Sequence, residues 1–511
     1  MTAHSLDLDL LPGECWWGGA VADGQAMPFG GAPHRRDLAR DLTMNQGMPL
    51  LLSSRGRSVW SDGPFAFAFA GGTLRIEEAE RPPILGEGWG NLRAAFRQLS
   101  RSYFPPAGSL PDPALFAAPQ YNTWIEMLYE PTQGGALAYA EAILANDFPP
   151  GVLMIDAGWQ EDYGAWTFHP GRFPEPRALI DRLHEMGFKV MLWVVPYVSP
   201  DSATFRWLER QGFLLRDRDE ATAIRRWWDG HSAVFDCTNE ATVAWFHAQL
   251  DHLVAAFDVD GFKFDGGDPV YYLPGDLGLR AVSPAGYCAA WAAVGLRYPL
   301  SEYRACWKGA GWPLAQRLRD KAPAWDGNGL AALIPDGLAQ GLMGYAFTCP
   351  DMIGGGEYLD FLRPDYRHDA ELFVRSAQCA ALFPMMQFST APWRVLDREH
   401  LSYCRDAAHL HVRLAPEILE LAGHAARDGE PIMRHLTYVF PDHGYERVSD
   451  QFLLGDDILV APVVARGATR RRVIFPQGTW RGDDGGAVVG PCAQEIAAPL
   501  SRLPWFRRIE G

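Results

Sequence analysis

The chain has 511 residues, 48% of them hydrophobic, enough to bury several cores and to predict roughly two to four domains. A formal net charge of −16 argues against nucleic acid as a partner, because phosphate binding wants clustered Lys and Arg. No uncharged apolar run reaches the roughly 18 residues a membrane span needs, so no membrane association is expected.

The N-terminal stretch "MTAHSLDLDLLPGECWWGG" lacks a basic start followed by an apolar core and does not read as a secretory signal. Eight Cys are scattered with no CxxC pair, which predicts reduced structural thiols in a cytoplasmic protein and no zinc site. Residues 1–115 are rich in Gly and Pro, with alternating pieces such as "GPFAFAFAGGTLRIEE", and predict an N-terminal β domain.

From residue 116 the texture changes to strands alternating with helices, and this continues to 424. The expected strands lie in "YNTWIEM", "GVLMIDAGW", "FKVMLWVVPY", "AVFDCT", "DGFKFDGG", "YRACW", "YAFTCPD" and "PMMQFS". Between them lie helical stretches such as "RALIDRLHEMG", with Leu179, Ile180, Leu183 and Met186 on one face and Gly187 as its stop. The strands are almost wholly apolar, as in a parallel sheet covered on both faces. About eight such units predict a (β/α)8 TIM barrel, in the α/β class. An open doubly wound sheet is disfavoured because no Gly-rich phosphate loop is present. Residues 425–511 return to short strands and predict a C-terminal β domain, giving a barrel flanked by β-sandwich-type domains.

In such a barrel the chemistry lies at the C-terminal ends of the strands. Those ends carry Glu126, Asp156 with Trp159 after it, Trp193, Lys263 with Asp265, Arg304 with Trp307 and Lys308, and Asp351. Acidic and aromatic groups thus converge on one mouth. The 19 Trp add to this, since aromatic faces stack on the apolar faces of sugar rings. No His, Asp and Glu stand at metal-ligand spacing, and His184 and His231 read as structural residues. Carboxylates with aromatics in a wet mouth suit glycoside hydrolysis, in which one carboxylate attacks the anomeric carbon and a protonated partner serves the leaving oxygen. Asp265 in "DGFKFDGGD" fits the first role. Lys263, two residues earlier on the same side of the strand, favours its ionised form, and Gly266 and Gly267 leave room for a ligand. A turn-capping Asp is the competing reading.

The motifs resemble glycoside hydrolase family 31, whose members are retaining α-glycosidases with a barrel between β domains. "DGFKFDGGD" resembles the family's nucleophile motif, and "GYAFTCPDMIGGG" (344–356) is similar to its Asp-x-Ile-Gly-Gly segment. "WTFHPGRFPEPRALIDRLHEMGFKVMLWVVPYVSPDS" (166–202) looks like its second and third strands, and residues 429–467 look like its C-terminal β domain. The motifs "GFKFDGGD" and "CPDMIGGG" look most like the branch that includes the myogenesis-regulating glycosidase and bacterial α-galactosidases. The resemblance implies Asp265 as nucleophile. It implies an acid/base Asp near "RLRDKAPAWDGNGLAALIP" (317–335), where Asp326 is the first choice and Asp320 the rival. Asp326 is alternatively a helix cap. By the same resemblance Asp156 binds hydroxyls far from the anomeric carbon, and Trp159, Trp193, Trp307 and Trp393 are candidate pocket walls. Lys263, Arg304 and Asp351 complete the expected substrate site. Ala157 stands where related α-galactosidases carry a second Asp, and the family's His in the last strand is replaced near Ala391 and Pro392.

The expected function is an exo-acting retaining α-glycoside hydrolase acting on α-galactosides or α-glucosides, with a carbohydrate as its partner and no metal or organic cofactor. Alternatives are a non-catalytic carbohydrate-binding protein on a decayed scaffold and an α-transglycosylase. The sequence leaves room for a homo-oligomer.

Overall fold

A computed structural model describes residues 4–41 and 45–509. Eight parallel strands form its centre: β1 Gln120–Asn122, β2 Val152–Ile155, β3 Lys189–Val194, β4 Gly261–Phe264, β5 Ser301–Tyr303, β6 Ala315–Arg317, β7 Thr348–Cys349 and β8 Gln387–Phe388. Their order around the sheet is β7-β6-β5-β4-β3-β2-β1-β8. Met352, just past β7, bridges Gln387 of β8 in parallel and nearly closes the ring.

The strands are short because each needs only enough length to cross the barrel. Most of their outward residues, such as Tyr121, Phe262, Phe264, Tyr303 and Phe388, are apolar and buried. The interior carries polar side chains. Gln387 of β8 donates to Gln120 of β1 (3.1 Å) and to Glu302 of β5 (2.5 Å), so these side chains meet across the ring.

Helices follow seven of the strands: α1 Gln133–Ala145, α2 Pro176–Glu185, α3 Glu240–Phe257, α4 Pro284–Gly295, α5 Leu330–Leu342, α6 Ala370–Ala380 and α7 Arg398–Asp428. In α2, Pro176 starts the helix, Leu179, Ile180 and Leu183 are buried, and Gly187 follows at φ +90°, as the sequence pattern implies. No helix connects β5 to β6. The connection, "RACWKGAGWPL", contains two Gly and a Pro and cannot hold one. Instead Cys306–Trp307 leaves the barrel and pairs in parallel with Gln46–Gly47 of the N-terminal region.

One expected strand is placed elsewhere. In "AVFDCT", Ala233 and Val234 pair with Val198 and Tyr197 in a small antiparallel sheet above β3. An apolar run of that length does not tell a parallel strand from an antiparallel one. The barrel position is filled by β6, "AQR", whose inward Arg317 and outward, buried Gln316 carry no apolar signature.

The N-terminal region forms a four-stranded sheet (His4–Asp9, Thr73–Ala79, Ala66–Ala70, His34–Asp37) and a five-stranded one built around Gln46–Ser53. Trp16, Phe29, Phe67 and Phe69 pack in the core they share. The C-terminal region is a six-stranded sheet with the long hairpin Arg470–Gly482 and Ala487–Ala497, over its own core of Leu453, Phe475, Trp480 and Phe506. Arg375 of α6 is buried and donates to the carbonyls of Ala468 (3.0 Å) and Ala498 (2.8 Å), fastening this sheet to the barrel.

The turn after β4 explains its two glycines. Gly266 and Gly267 adopt φ of +63° and +70°. A Cβ on Gly267 would lie 2.2 Å from Trp291, and one on Gly266 would lie 2.8 Å from Tyr197. The glycines therefore make room for two core rings, not for a ligand. Gly267→Ala is expected to cost about 2 kcal/mol or more through strain and overpacking, read as a lower midpoint in urea denaturation.

Candidate active site

A pocket of about 370 Å3 opens at the C-terminal ends of the strands, within the roughly 300–1,000 Å3 range of small-molecule sites. Asp156 follows β2, Trp193 lies in β3, Lys263 in β4, Asp265 follows β4, Arg304 follows β5 and Arg317 ends β6. All six line the pocket, as does Asp320, three residues past β6.

Asp265 is held from two sides. Its backbone N–H donates to Val194 (2.9 Å), and Trp291 Nε1 donates to its carbonyl (3.1 Å). Trp193 Nε1 donates to Oδ2 at 2.8 Å, while Oδ1 is buried and accepts no hydrogen bond from the described residues. Burial disfavours its charge, but Lys263, Arg304 and Arg317 outweigh burial and hold the carboxyl below the usual carboxylate range. Lys263 Nζ itself bonds Asp156 Oδ2 at 2.8 Å, so it acts on Asp265 at longer range.

Asp320 shares the same two guanidinium groups. Arg304 Nη1 donates to its Oδ2 (2.8 Å) and Arg317 Nη1 to its Oδ1 (2.6 Å). The same groups stand 3.7 and 3.9 Å from Asp265 Oδ1. The two carboxylates thus face each other across a pair of arginines. Burial pushes Asp320 up, but Arg317 and Arg304 prevail and hold it well below its ordinary value.

Asp326 does not reach the pocket. The segment after Asp320 folds back on itself through Ala322 N–H to Asn328 O (3.0 Å) and Gly329 N–H to Asp326 O (3.0 Å). This turns Asp326 and Gly327 to solvent. The Asp326 side chain caps no helix either, since α5 begins without a side-chain cap. Asn328 points inward and donates to the Asp320 carbonyl (2.7 Å), and Lys321 Nζ, in an ion pair with Asp336, anchors the turn.

Three of the expected aromatic walls lie elsewhere. Trp159 is fully buried and donates to the Trp193 carbonyl (2.7 Å), so it steadies a pocket wall without being one. Trp307 is buried in the strand that joins the N-terminal sheet. Trp393 packs against Tyr139 and Phe148 outside the pocket. Asp351 lies beneath it, with Oδ1 taking a bond from Arg317 (2.6 Å) and Oδ2 one from Lys321 N–H (2.7 Å). Burial pushes its carboxyl up to about 6, against the pull of Arg317.

Sequence reasoning left out Arg317 and the hairpin residues Arg226, Trp227 and Trp228, all of which line the pocket, along with Tyr271, Glu357 and Tyr358. The run "RRWWDG" held a signal: basic and aromatic residues crowded into a turn. Among the described residues, no three His, Cys, Asp or Glu converge to hold a metal ion. All eight Cys are free.

Arg317 is fully buried and also faces Glu302 at 3.3 Å. Arg317→Met would strand Glu302, Asp320 and Asp351 without their shared cation. A loss of roughly 3–5 kcal/mol is expected, measured by chemical denaturation.

A family model described as the glycosyl hydrolases family 31 TIM-barrel domain matches residues 113–421, and one described as that family's C-terminal domain matches residues 429–510. The chain is 34% identical over 403 residues to the myogenesis-regulating glycosidase of Mus musculus, covering 76% of this chain and 56% of that protein. It is 27% identical over 396 residues to a 1,3-alpha-isomaltosidase of Kribbella flavida, covering 70% of this chain and 50% of that protein. The chain thus spans about half the length of these curated relatives. Among solved structures, a Flavobacterium johnsoniae GH31 dextranase complexed with glucose aligns with a TM-score of 0.86 at 21% identity, over 99% of this chain and 66% of that one. At that identity the likeness shows the fold.

Proposed function

The chain belongs to glycosyl hydrolase family 31, and from that premise we propose that it is a retaining α-glycosidase with Asp265 as nucleophile and Asp320 as acid/base. The observation that carries this reading is the pairing of a bare, buried Asp265 Oδ1 with a second carboxylate across the same two arginines.

In the first step Asp265 Oδ1 forms a bond to the anomeric carbon while the glycosidic C–O bond breaks. The leaving oxygen takes its proton from the Asp320 carboxyl. In the second step Asp320, now ionised, takes a proton from water as that water attacks the anomeric carbon and frees Asp265. Retention calls for the two carboxyls about 5–5.5 Å apart. Asp156 and Lys263 serve the sugar hydroxyls at the pocket floor. The glycone is glucose or galactose. The pocket has Ala157 where a second carboxylate would favour galactose, and one relative is named alpha-glucosidase. A transglycosylase would use the same residues and differ in the acceptor, and one relative is named isomaltosyltransferase. Product analysis separates the two.

The test is turnover of p-nitrophenyl α-glucoside and α-galactoside. Asp265→Ala is expected to abolish it, and Asp320→Ala to lower kcat by roughly 100- to 10,000-fold. An activated fluorosugar is expected to label Asp265 in the wild type. Full turnover by the Asp265 variant would sink the assignment.

The arginines set the pH dependence. Activity needs Asp320 protonated, and the cations beside it favour its ionised form, so activity falls as pH rises through its value in the free enzyme. Arg304→Gln removes one cation and is expected to move the falling limb of the kcat/KM profile to higher pH. A limb that stays in place would exclude Asp320 as the titrating acid.

A further inference from the structure

Lys321, the residue after the proposed acid, is buried and does not line the pocket. Its ammonium bonds Asp336 Oδ2 and donates to Asn328 Oδ1 (3.2 Å). Lys carries donors only, so it fixes the Asn328 amide. The amide oxygen turns to Lys321, and Nδ2 turns to the Asp320 carbonyl (2.7 Å). The Lys321 backbone is held as well. Its N–H donates to Asp351 Oδ2 (2.7 Å), and its carbonyl accepts from the N–H groups of Gly356 and Glu357 (2.9 and 3.1 Å).

Asp336 lies inside α5, fully buried, and its Oδ1 accepts no hydrogen bond from the described residues. Arg319 stands farther from it than Lys321 does, with Nε at 4.0 Å. The turn Val21–Ala26 of the N-terminal region covers Asp336. A Cβ on Gly24 would lie 2.5 Å from its Oδ1 and 2.7 Å from its Cα. A buried ion pair of this kind adds little net stability, because desolvation offsets most of its attraction. What it fixes here is the path of the loop that carries Asp320.

The two reacting carboxyls are anchored differently. Asp265 follows a strand, and its backbone N–H and carbonyl are bonded to Val194 and Trp291. Asp320 lies in an irregular segment, and its carboxylate is held by Arg304 and Arg317. The first step needs Asp320 protonated, and a neutral carboxyl loses the ionic part of those contacts. Its placement then falls to its backbone. We propose that Lys321, acting through Asn328, is a positioning residue that keeps Asp320 in place while it carries its proton. This rests on the assignment of Asp320 as acid/base. Lys321 itself transfers no proton.

The experiment compares kcat/KM for phenyl α-glycosides with that for α-glycosyl fluorides, each with glucose and galactose as glycone. Phenol leaves with a proton from the acid, whereas fluoride leaves as an anion and needs none. The enzymes are the wild type, Asp320→Ala, Lys321→Met combined with Asp336→Asn, and Asn328→Ala, with thermal melts to confirm folding. The paired change leaves neither partner as a lone buried charge. Its phenyl-to-fluoride ratio is expected to fall roughly 10- to 100-fold, as for a misplaced catalytic group. In Asn328→Ala a fall of roughly 3- to 10-fold is expected, as for one lost hydrogen bond. Should the paired variant not fold, Asn328→Ala decides alone. Rates that drop together, or not at all, would overturn the positioning role, while a selective fall in Asp320→Ala would still keep Asp320 as the acid. An Asp320→Ala variant without that selectivity, or a wild type active on the fluorides alone, would remove Asp320 as the acid and this inference with it. A wild type inactive on all four compounds would sink the glycosidase reading as well.

Discussion

The site is organised by two guanidinium groups. Arg304 contacts Asp265, Asp268 and Asp320, and Arg317 contacts Asp265, Glu302, Asp320 and Asp351. Five carboxyls of a buried cluster are thus held by two cations. Lysine would not serve here. The planar fork of Arg presents several donors in fixed directions, and each guanidinium uses them on different partners at once. Such a cluster survives burial only because nearly every charge has an opposite neighbour.

Five carboxyls against two cations leave an excess of negative charge, and the structure divides it unevenly. Burial pushes up Asp268, Glu302 and Asp351, which lie behind or below the reacting face. Asp265 and Asp320, which look into the pocket, are held down, the first by Lys263 together with the arginines and the second by the arginines. The outer members thus hold a proton more readily than the two inner ones. For the proposed nucleophile this favours the needed state. For the proposed acid it means that the arginine contacts together outweigh burial in governing when it carries a proton.

The chain showed its nucleophile candidate more clearly than its partner, for a physical reason. Asp265 ends an apolar strand, and a strand's direction and period determine where its end projects. Asp320 lies in an irregular segment whose path depends on Asn328, Lys321 and Asp336, contacts that no local pattern encodes. Asp326, beside a Trp and ahead of a helix, carried the stronger local signal and points to solvent. The tryptophans repeat the lesson. Trp159, Trp193, Trp307 and Trp393 look alike as letters, but only Trp193 faces the pocket, because the barrel's curvature and the neighbouring rings decide which way each turns. The sixth strand was hidden by the opposite effect. Its Arg317 looks inward to the polar interior and its Gln316 is buried on the opposite face, so a buried strand reads as a polar one.

The missing helix between β5 and β6 binds these observations together. Without it, the chain after Arg304 passes into the N-terminal sheet, and that sheet reaches back. Gln46 is fully buried and donates its side-chain amide to the carbonyls of both Arg304 (2.6 Å) and Arg317 (2.8 Å). Asn45 donates to the Arg304 carbonyl as well (2.7 Å). Gln340 of α5 in turn donates to the Gln46 side-chain oxygen (3.1 Å). The backbone of both arginines is therefore fixed by one residue from outside the barrel, at the height where their side chains meet Asp265 and Asp320. A buried amide that loses such partners leaves several polar groups unsatisfied at once, so the arrangement tolerates little drift. The N-terminal β region is for this reason part of the reacting centre's frame, although none of its described residues lines the pocket.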